Sequence, residues 1–214
     1  MTRVPLLTLD QACIESGRST TGPWSASGGQ RLVAVVGYFS PFFRVLRGEA
    51  RLVQGAVRLA DQDATRALRA GQVALASQEA PSLPWTTERY LYESARLSLL
   101  VKRPAEARVR DVLASLGLTH ARTTRLRDLS ALERRLVSLG RAALGNPEVL
   151  CAEAPLSELD ATSEARVTDV LERLATATRL VVSFPAAPLG GRARELFDRA
   201  DFLVWIRGGT VSAS

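Results

Sequence analysis

Few side chains in this chain are equipped for chemistry. Among 214 residues there is one lysine, Lys102, and one histidine, His120. Lys102 lies between two helical stretches and His120 follows a third, and neither falls where the surrounding pattern calls for it. A lysine that grips phosphate belongs in G-x-x-x-x-G-K-[ST], where glycines let backbone N–H groups wrap the anion and the hydroxyl reaches Mg²⁺. After Gly37 this chain instead reads Tyr-Phe-Ser-Pro-Phe-Phe-Arg. Pro41 has no N–H to donate. Arg44 is a candidate replacement cation, but without a loop to aim it its position would be accidental. Cys13 and Cys151 lack metal-ligand spacing and read as free, buried thiols. His120 reads as a solvated loop residue. The expectation is no catalytic residue and no metal site.

The elements that would carry these residues alternate in type. Residues 31–37 (RLVAVVG) are an apolar, β-branched run ending in glycine, the pattern of a buried parallel strand. Residues 56–60 and 72–76 read as short strands joined by a polar connection. From 81 to 127 the pattern becomes helical: Pro81 and Pro84 punctuate its start, and 88–101 and 105–116 carry apolar residues every third or fourth position, separated by Pro104. A further helix spans 130–144, with Leu132, Leu136, Leu139 and Ala143 on one face and Ser130 and Glu133 spaced as a capping box. Strands at 148–152, 179–183 and 202–206 alternate with helices at 163–176 and 191–199. Residues 19–29, rich in Ser, Thr and Gly, read as turns within an N-terminal β region, and 212–214 read as frayed. Strands alternating with helices predict an α/β fold with a mainly parallel sheet.

Composition narrows the class further. Apolar residues make up 46% and charged residues 23%, which suits a globular chain with one sizeable core. The net charge of +6 comes almost wholly from arginine on the basic side. A basic balance suits nucleic acid or an anionic membrane, but these arginines are scattered rather than clustered, as on an ordinary surface. No apolar stretch approaches the roughly 18–20 residues that span a bilayer, and the first residues are too short an apolar run for a secretory signal. The expectation is a cytoplasmic chain with no direct membrane insertion and no nucleic-acid role.

One stretch resembles a known family. Residues 146–160, NPEVLCAEAPLSELD, are similar to the strand and following loop of ABC transporter ATPases, where an apolar strand leads into Asp-Glu-Pro and a loop ending in Leu-Asp. Here Glu153 stands at the aspartate, Ala154 at the glutamate and Pro155 at the proline, while Ser157, Leu159 and Asp160 match the D-loop. Residues 129–144 resemble the signature motif and its helix: Leu129, Ser130 and Glu133 match, and Ala131 and Leu132 replace two glycines. Gln78 falls where the Q-loop glutamine sits. The resemblance covers nearly the whole chain in the family's order.

The resemblance implies a RecA-like P-loop NTPase-type core at 1–78 and 129–214, with an N-terminal antiparallel β region, and an inserted helical subdomain at 79–128. It also shows what is missing. Against the family's flanking glycines, the segment from Gly37 to Gly48 is about four residues short. Ala154 cannot polarise water, Phe184 follows Ser183 where the switch histidine would stand, and no aromatic residue near Glu15 or Ser16 offers a platform for adenine. Glu153 keeps a carboxylate, better suited to a cap or an ion pair than to a metal. Gly37, Gln78, Ser130 and Glu153 are thus vestigial motif positions, and ATP and Mg²⁺ binding is expected to be lost. The expected function is a pseudo-ATPase cassette subunit beside a competent ATPase subunit and an integral membrane permease, peripheral on the inner face of the membrane. A soluble regulatory scaffold without a transport role is the alternative, and an enzyme with an unusual nucleotide site is a third reading. Gln78, Trp85, Ser130 and Asp160 are the candidate partner contacts. Ser130 either faces a partner's nucleotide or only caps its helix, and Trp85 is either an exposed anchor or core between subdomains.

Overall fold

A computed structural model describes residues 4–17, 19–97, 105–207 and 210–214. In chain order the elements are β1 (Leu7–Ser16), β2 (Ser19–Gly28), β3 (Leu32–Gly37), α1 (Ser40–Arg47), β4 (Arg51–Leu59), β5 (Gln62–Asp63), α2 (Ala64–Arg69), β6 (Val73–Ala76), α3 (Thr87–Leu97), α4 (Ala105–Ser115), α5 (Ala131–Ala143), β7 (Val149–Ala152), α6 (Ala161–Ala177), β8 (Arg179–Phe184), α7 (Gly191–Asp198), β9 (Phe202–Arg207) and β10 (Thr210–Ala213). Single helical turns at Thr119–Ala121 and Leu126–Asp128 join α4 to α5.

Two sheets organise them. β2, β1, β4 and β5 form an antiparallel sheet in that order, and β10, β9, β3, β8, β7 and β6 form the second. In the second sheet every pairing is parallel except β9 with β10. Its central strands read as unbroken apolar runs because both faces are covered. Leu32, Ala34 and Val36 of β3 point into a core shared with α3 to α7, whereas Val33 and Val35 point into a second core shared with α1, α2 and the antiparallel sheet. The central strands of this sheet thus bury two faces, and the α/β architecture expected from the alternation is the one observed. The segment from 79 to 128 contributes α3 and α4, which pack on each other and on α5. Gly140 of α5 faces α4, where an added Cβ would meet Leu116 Cδ1 at 2.5 Å and Val112 Cγ1 at 2.9 Å.

Several expectations are corrected. Residues 19–28 are the edge strand β2, not turns. The strand at 56–60 begins at Arg51 and lies in the antiparallel sheet, and the connection from it to 72–76, expected to be only polar, holds β5 and α2. The end of the chain is not frayed: β10 pairs with β9, and Ser214 exchanges both backbone hydrogen bonds with Leu203. Cys13 is free but only half-buried, while Cys151 is free and buried. Lys102, Pro104 and the end of the helix expected at 88–101 lie outside the described residues. Among the described residues no helix is long and apolar enough to cross a membrane.

Candidate functional site

Parallel strands bring their C-terminal ends to one edge of the sheet, the usual place for a site in an α/β fold. Gly37, Ala76, Ala152 and Phe184 end β3, β6, β7 and β8 there. Gly37 has φ +101°, and an added Cβ would lie 2.1 Å from the Ile206 carbonyl oxygen, so close packing against β9 already requires glycine. Two residues intervene before α1 begins at Ser40. Phe39 precedes its first turn, its side chain gives no cap, and Pro41 sits within that turn. Phe39 N–H donates to the Gly37 carbonyl at 2.9 Å.

Behind this junction the space is filled by rings. Phe39 stacks on Phe42 at 4.4 Å, Phe43 meets both edge-on at 5.6 and 5.2 Å, and Trp24 of β2 stacks on Phe39 at 6.3 Å. All four are essentially inaccessible to solvent. Arg44 turns to Glu49, 3.9 Å away. Arg47, at the end of α1, bonds both Glu49 and Glu153, so the carboxylate at the end of β7 is neutralised by a cation of its own chain. Next to it, Ala154 adopts φ +42° and donates its N–H to Ser183 Oγ at 2.8 Å. Phe184 is buried and packs edge-on against Phe197. Burial pushes the Cys151 thiol up, away from any reactive state. Among the described residues no group of three His, Cys, Asp or Glu side chains is placed to hold a metal.

A second group of polar residues surrounds α5. Ser130 accepts from Glu133 N–H at 3.2 Å, and its own N–H and hydroxyl donate to Glu133 Oε2 at 2.9 and 2.8 Å, closing the capping box that the spacing predicts. Glu133 Oε1 meets His120 Nε2 at 3.0 Å; the histidine is exposed, in a short helical turn. Burial pushes the Glu133 carboxyl up, but the bonds from Ser130 and the contact with His120 bring it below the ordinary glutamate value. Arg135, 2% exposed, donates to the carbonyls of Ala154, Pro155 and Ser157 at 3.0, 2.9 and 3.1 Å. Burial lowers its guanidinium pKa, against the pull of Glu79 and Glu158. Ser138 and Arg141 bond the carbonyls of Ser77 and Leu75.

The remaining candidates separate. Half-buried Gln78 lies just past β6. Asp160 is the N-cap of α6, accepting from the N–H groups of Thr162 and Ser163. Trp85 is not core: it is 37% exposed, with the Arg89 guanidinium 5.0 Å over its ring, on a strap bonded to 125–127 through Trp85 O and Leu83 O. Arg47, Arg135 and the acceptor role of Ser183 were not identified from the sequence. Their contacts join segments distant in the chain, and an arginine on a helix carries no periodic signal of burial.

The comparisons with known proteins agree with this fold. The ABC transporter family model matches residues 40–157, more than half of the chain. The molybdenum import ATP-binding protein ModC of Rhodopseudomonas palustris is 35% identical over 104 residues, 49% of this chain and 26% of its own length. The aliphatic sulfonates import ATP-binding protein SsuB 1 of Mesorhizobium japonicum is 26% identical over 186 residues, 85% of this chain and 67% of that protein. The chain thus spans about a quarter of the length of the first relative. Among solved structures, cbiO1 from Clostridium perfringens, part of the ABC transporter complex cbiONQ, superposes with TM-score 0.76 over 97% of this chain and 87% of its own, at 14% identity. An inward-facing ABC transporter described as metal-chelate type gives 0.77 over 98% of this chain and 83% of its own, at 15% identity. Structural likeness at that identity shows the fold, and the family match shows the lineage: the chain belongs to the ABC transporter family.

Proposed function

We propose that this chain is a non-hydrolysing cassette subunit, which completes an assembly with a competent ATPase subunit and a membrane permease. The observation that carries the reading is the junction between Gly37 and α1. Two residues separate strand from helix, and the rings of Phe39, Phe42 and Phe43 pack behind them. A triphosphate needs several backbone N–H groups converging on it. Here Phe39 N–H is already bonded, Pro41 has none, and Glu153 is taken by Arg47. The residues present do not fit Mg-ATP at this junction, and no catalytic step is assigned to them. Ala154, bound to Ser183, has no group to polarise water.

The relatives support this choice of partners. The cbiO1 subunit is part of a multi-subunit transporter complex, and the ModC and SsuB relatives are named import ATP-binding proteins. On this reading the chain lies at the inner face of a membrane through its partners, with Trp85 as one contact. Calorimetric titration of the purified chain with Mg-ATP to millimolar concentration tests it. No heat of binding is expected. Micromolar binding would overturn the reading and bring the nucleotide-using enzyme forward. Failure to co-purify with any permease would instead favour the soluble scaffold.

A further inference from the structure

Two surfaces of this chain are unmatched within it and match each other. The first is the strap around Trp85. Its indole is 37% exposed and follows Pro84, which fixes the backbone on its N-terminal side. The strap rests on the stretch just ahead of α5: Leu126 N–H donates to Trp85 O at 3.0 Å, Arg127 N–H donates to Leu83 O at 3.2 Å, and Thr86 bridges Arg125. Arg89, Arg122, Arg125 and Arg127 are all exposed on these two segments. Arg122 bonds Glu88, and Arg127 lies 3.7 Å from Asp128. Arg89 sits over the indole, and neither it nor Arg125 bonds a carboxylate among the described residues.

The second surface is a cleft of about 390 Å³ between the β7–α6 connection and the loop that follows β8. Its lining is mostly apolar, with Leu156, Phe184, Pro185, Pro188 and Ala193. The loop continues to Leu189, which is fully exposed. Open apolar surface of this kind marks a place of contact. Glu158 and Glu164 also line the cleft, and neither bonds a cation among the described residues. Both surfaces lie beside the start of α5. The strap is bonded directly ahead of the Ser130 cap, and Arg135, in the second turn, holds the carbonyls of Ala154, Pro155 and Ser157 next to the cleft.

We propose that the occupant of this cleft is a second copy of the chain: Trp85 of each copy enters the cleft of the other, and Arg89 and Arg125 meet Glu158 and Glu164. A two-fold axis near the start of α5 makes both contacts at once, so the pair closes instead of growing into a filament. The indole is the anchor in an apolar pocket, and the charges around it fix the register. No nucleotide enters the contact. Pairing does not rest on the proposed function, but it covers the tryptophan given there to the permease, so the two uses of that residue exclude each other.

Sedimentation velocity on the full chain over a concentration series tests it, with neither nucleotide nor permease present. Wild type is expected to dimerise in the micromolar range and to dissociate as salt rises. Trp85→Ala is expected to weaken pairing at least about tenfold. Reversing the arginines (Arg89→Glu with Arg125→Glu) or the carboxylates (Glu158→Arg with Glu164→Arg) is expected to weaken it by about as much. All four reversals in one chain are expected to restore pairing to within about threefold of wild type. A chain that stays monomeric at every concentration overturns the proposal, whether or not a permease then covers Trp85. So does a dimer that Trp85→Ala leaves intact, or a fourfold variant that pairs no better than either reversal alone. The assay contains no nucleotide, so its failure leaves the proposed function to be judged by calorimetry.

Discussion

The junction from β3 to α1 and the surroundings of α5 are closed by different physics. At the first, three phenylalanines and Trp24 fill the space behind Gly37. At the second, one buried guanidinium and a serine–glutamate cap satisfy backbone groups one by one. Apolar packing needs volume and shape, requires no particular partner, and is indifferent to pH. Polar closure needs each donor matched to its acceptor, and leaves atoms such as Arg135 Nε and Ser157 Oγ unpaired when the match is incomplete. Directional bonds can be redistributed among partners, and a filled core cannot.

Three substitutions sharpen the contrast. Phe42→Ala removes a fully buried ring from the apolar side, and urea unfolding should show a loss of about 3–5 kcal/mol that does not vary between neutral and mildly acid pH. A loss well under that would mean the rings are loosely packed and the junction is not closed. Ser130→Ala acts on the polar side and should cost about 1 kcal/mol at neutral pH. That cost should depend on pH. Glu133 has its carboxyl lowered in the folded chain, so its contribution is present above the unfolded value of about 4.3 and is lost as pH falls through the lower folded value. The gap between wild type and Ser130→Ala should narrow there. A pH-independent gap would show that the capping box does not involve the ionised carboxylate. Trp85→Ala, on an exposed strap, should change stability by less than about 0.5 kcal/mol yet weaken recovery with a permease. Unchanged recovery would remove Trp85 from the contact surface.

The sequence exposed these two regions unequally. The apolar strands, the long helices and the box from Ser130 to Glu133 announce themselves through period and spacing. The strand β2 does not: its sequence, STTGPWSASG, buries only Trp24 and lies at a sheet edge, so its composition matches that of a turn. At the opposite end of the chain β10 is hidden for the same reason. Helix α2 is six residues long, too short for a periodic face. The missing phosphate loop after Gly37 was legible, but the partner of Glu153 was not, since Arg47 lies 106 positions away. Nor could Arg135 be distinguished from the arginines of the surface. Leu136 beside it is buried in the same helix, and only the folded chain brings three carbonyls to the guanidinium.

The packed rings behind Gly37 also shape what this lineage can become. Replacing one of these rings with glycine, as a glycine-rich loop between β3 and α1 would require, takes it out of the core at a cost of about 3–5 kcal/mol. No single step adds a phosphate contact in return. Against a total stability of roughly 5–15 kcal/mol for a domain, two such steps leave little margin for folding. On the proposed reading the aromatic cluster therefore works as an evolutionary ratchet: a route to a phosphate loop runs through sequences that fold poorly.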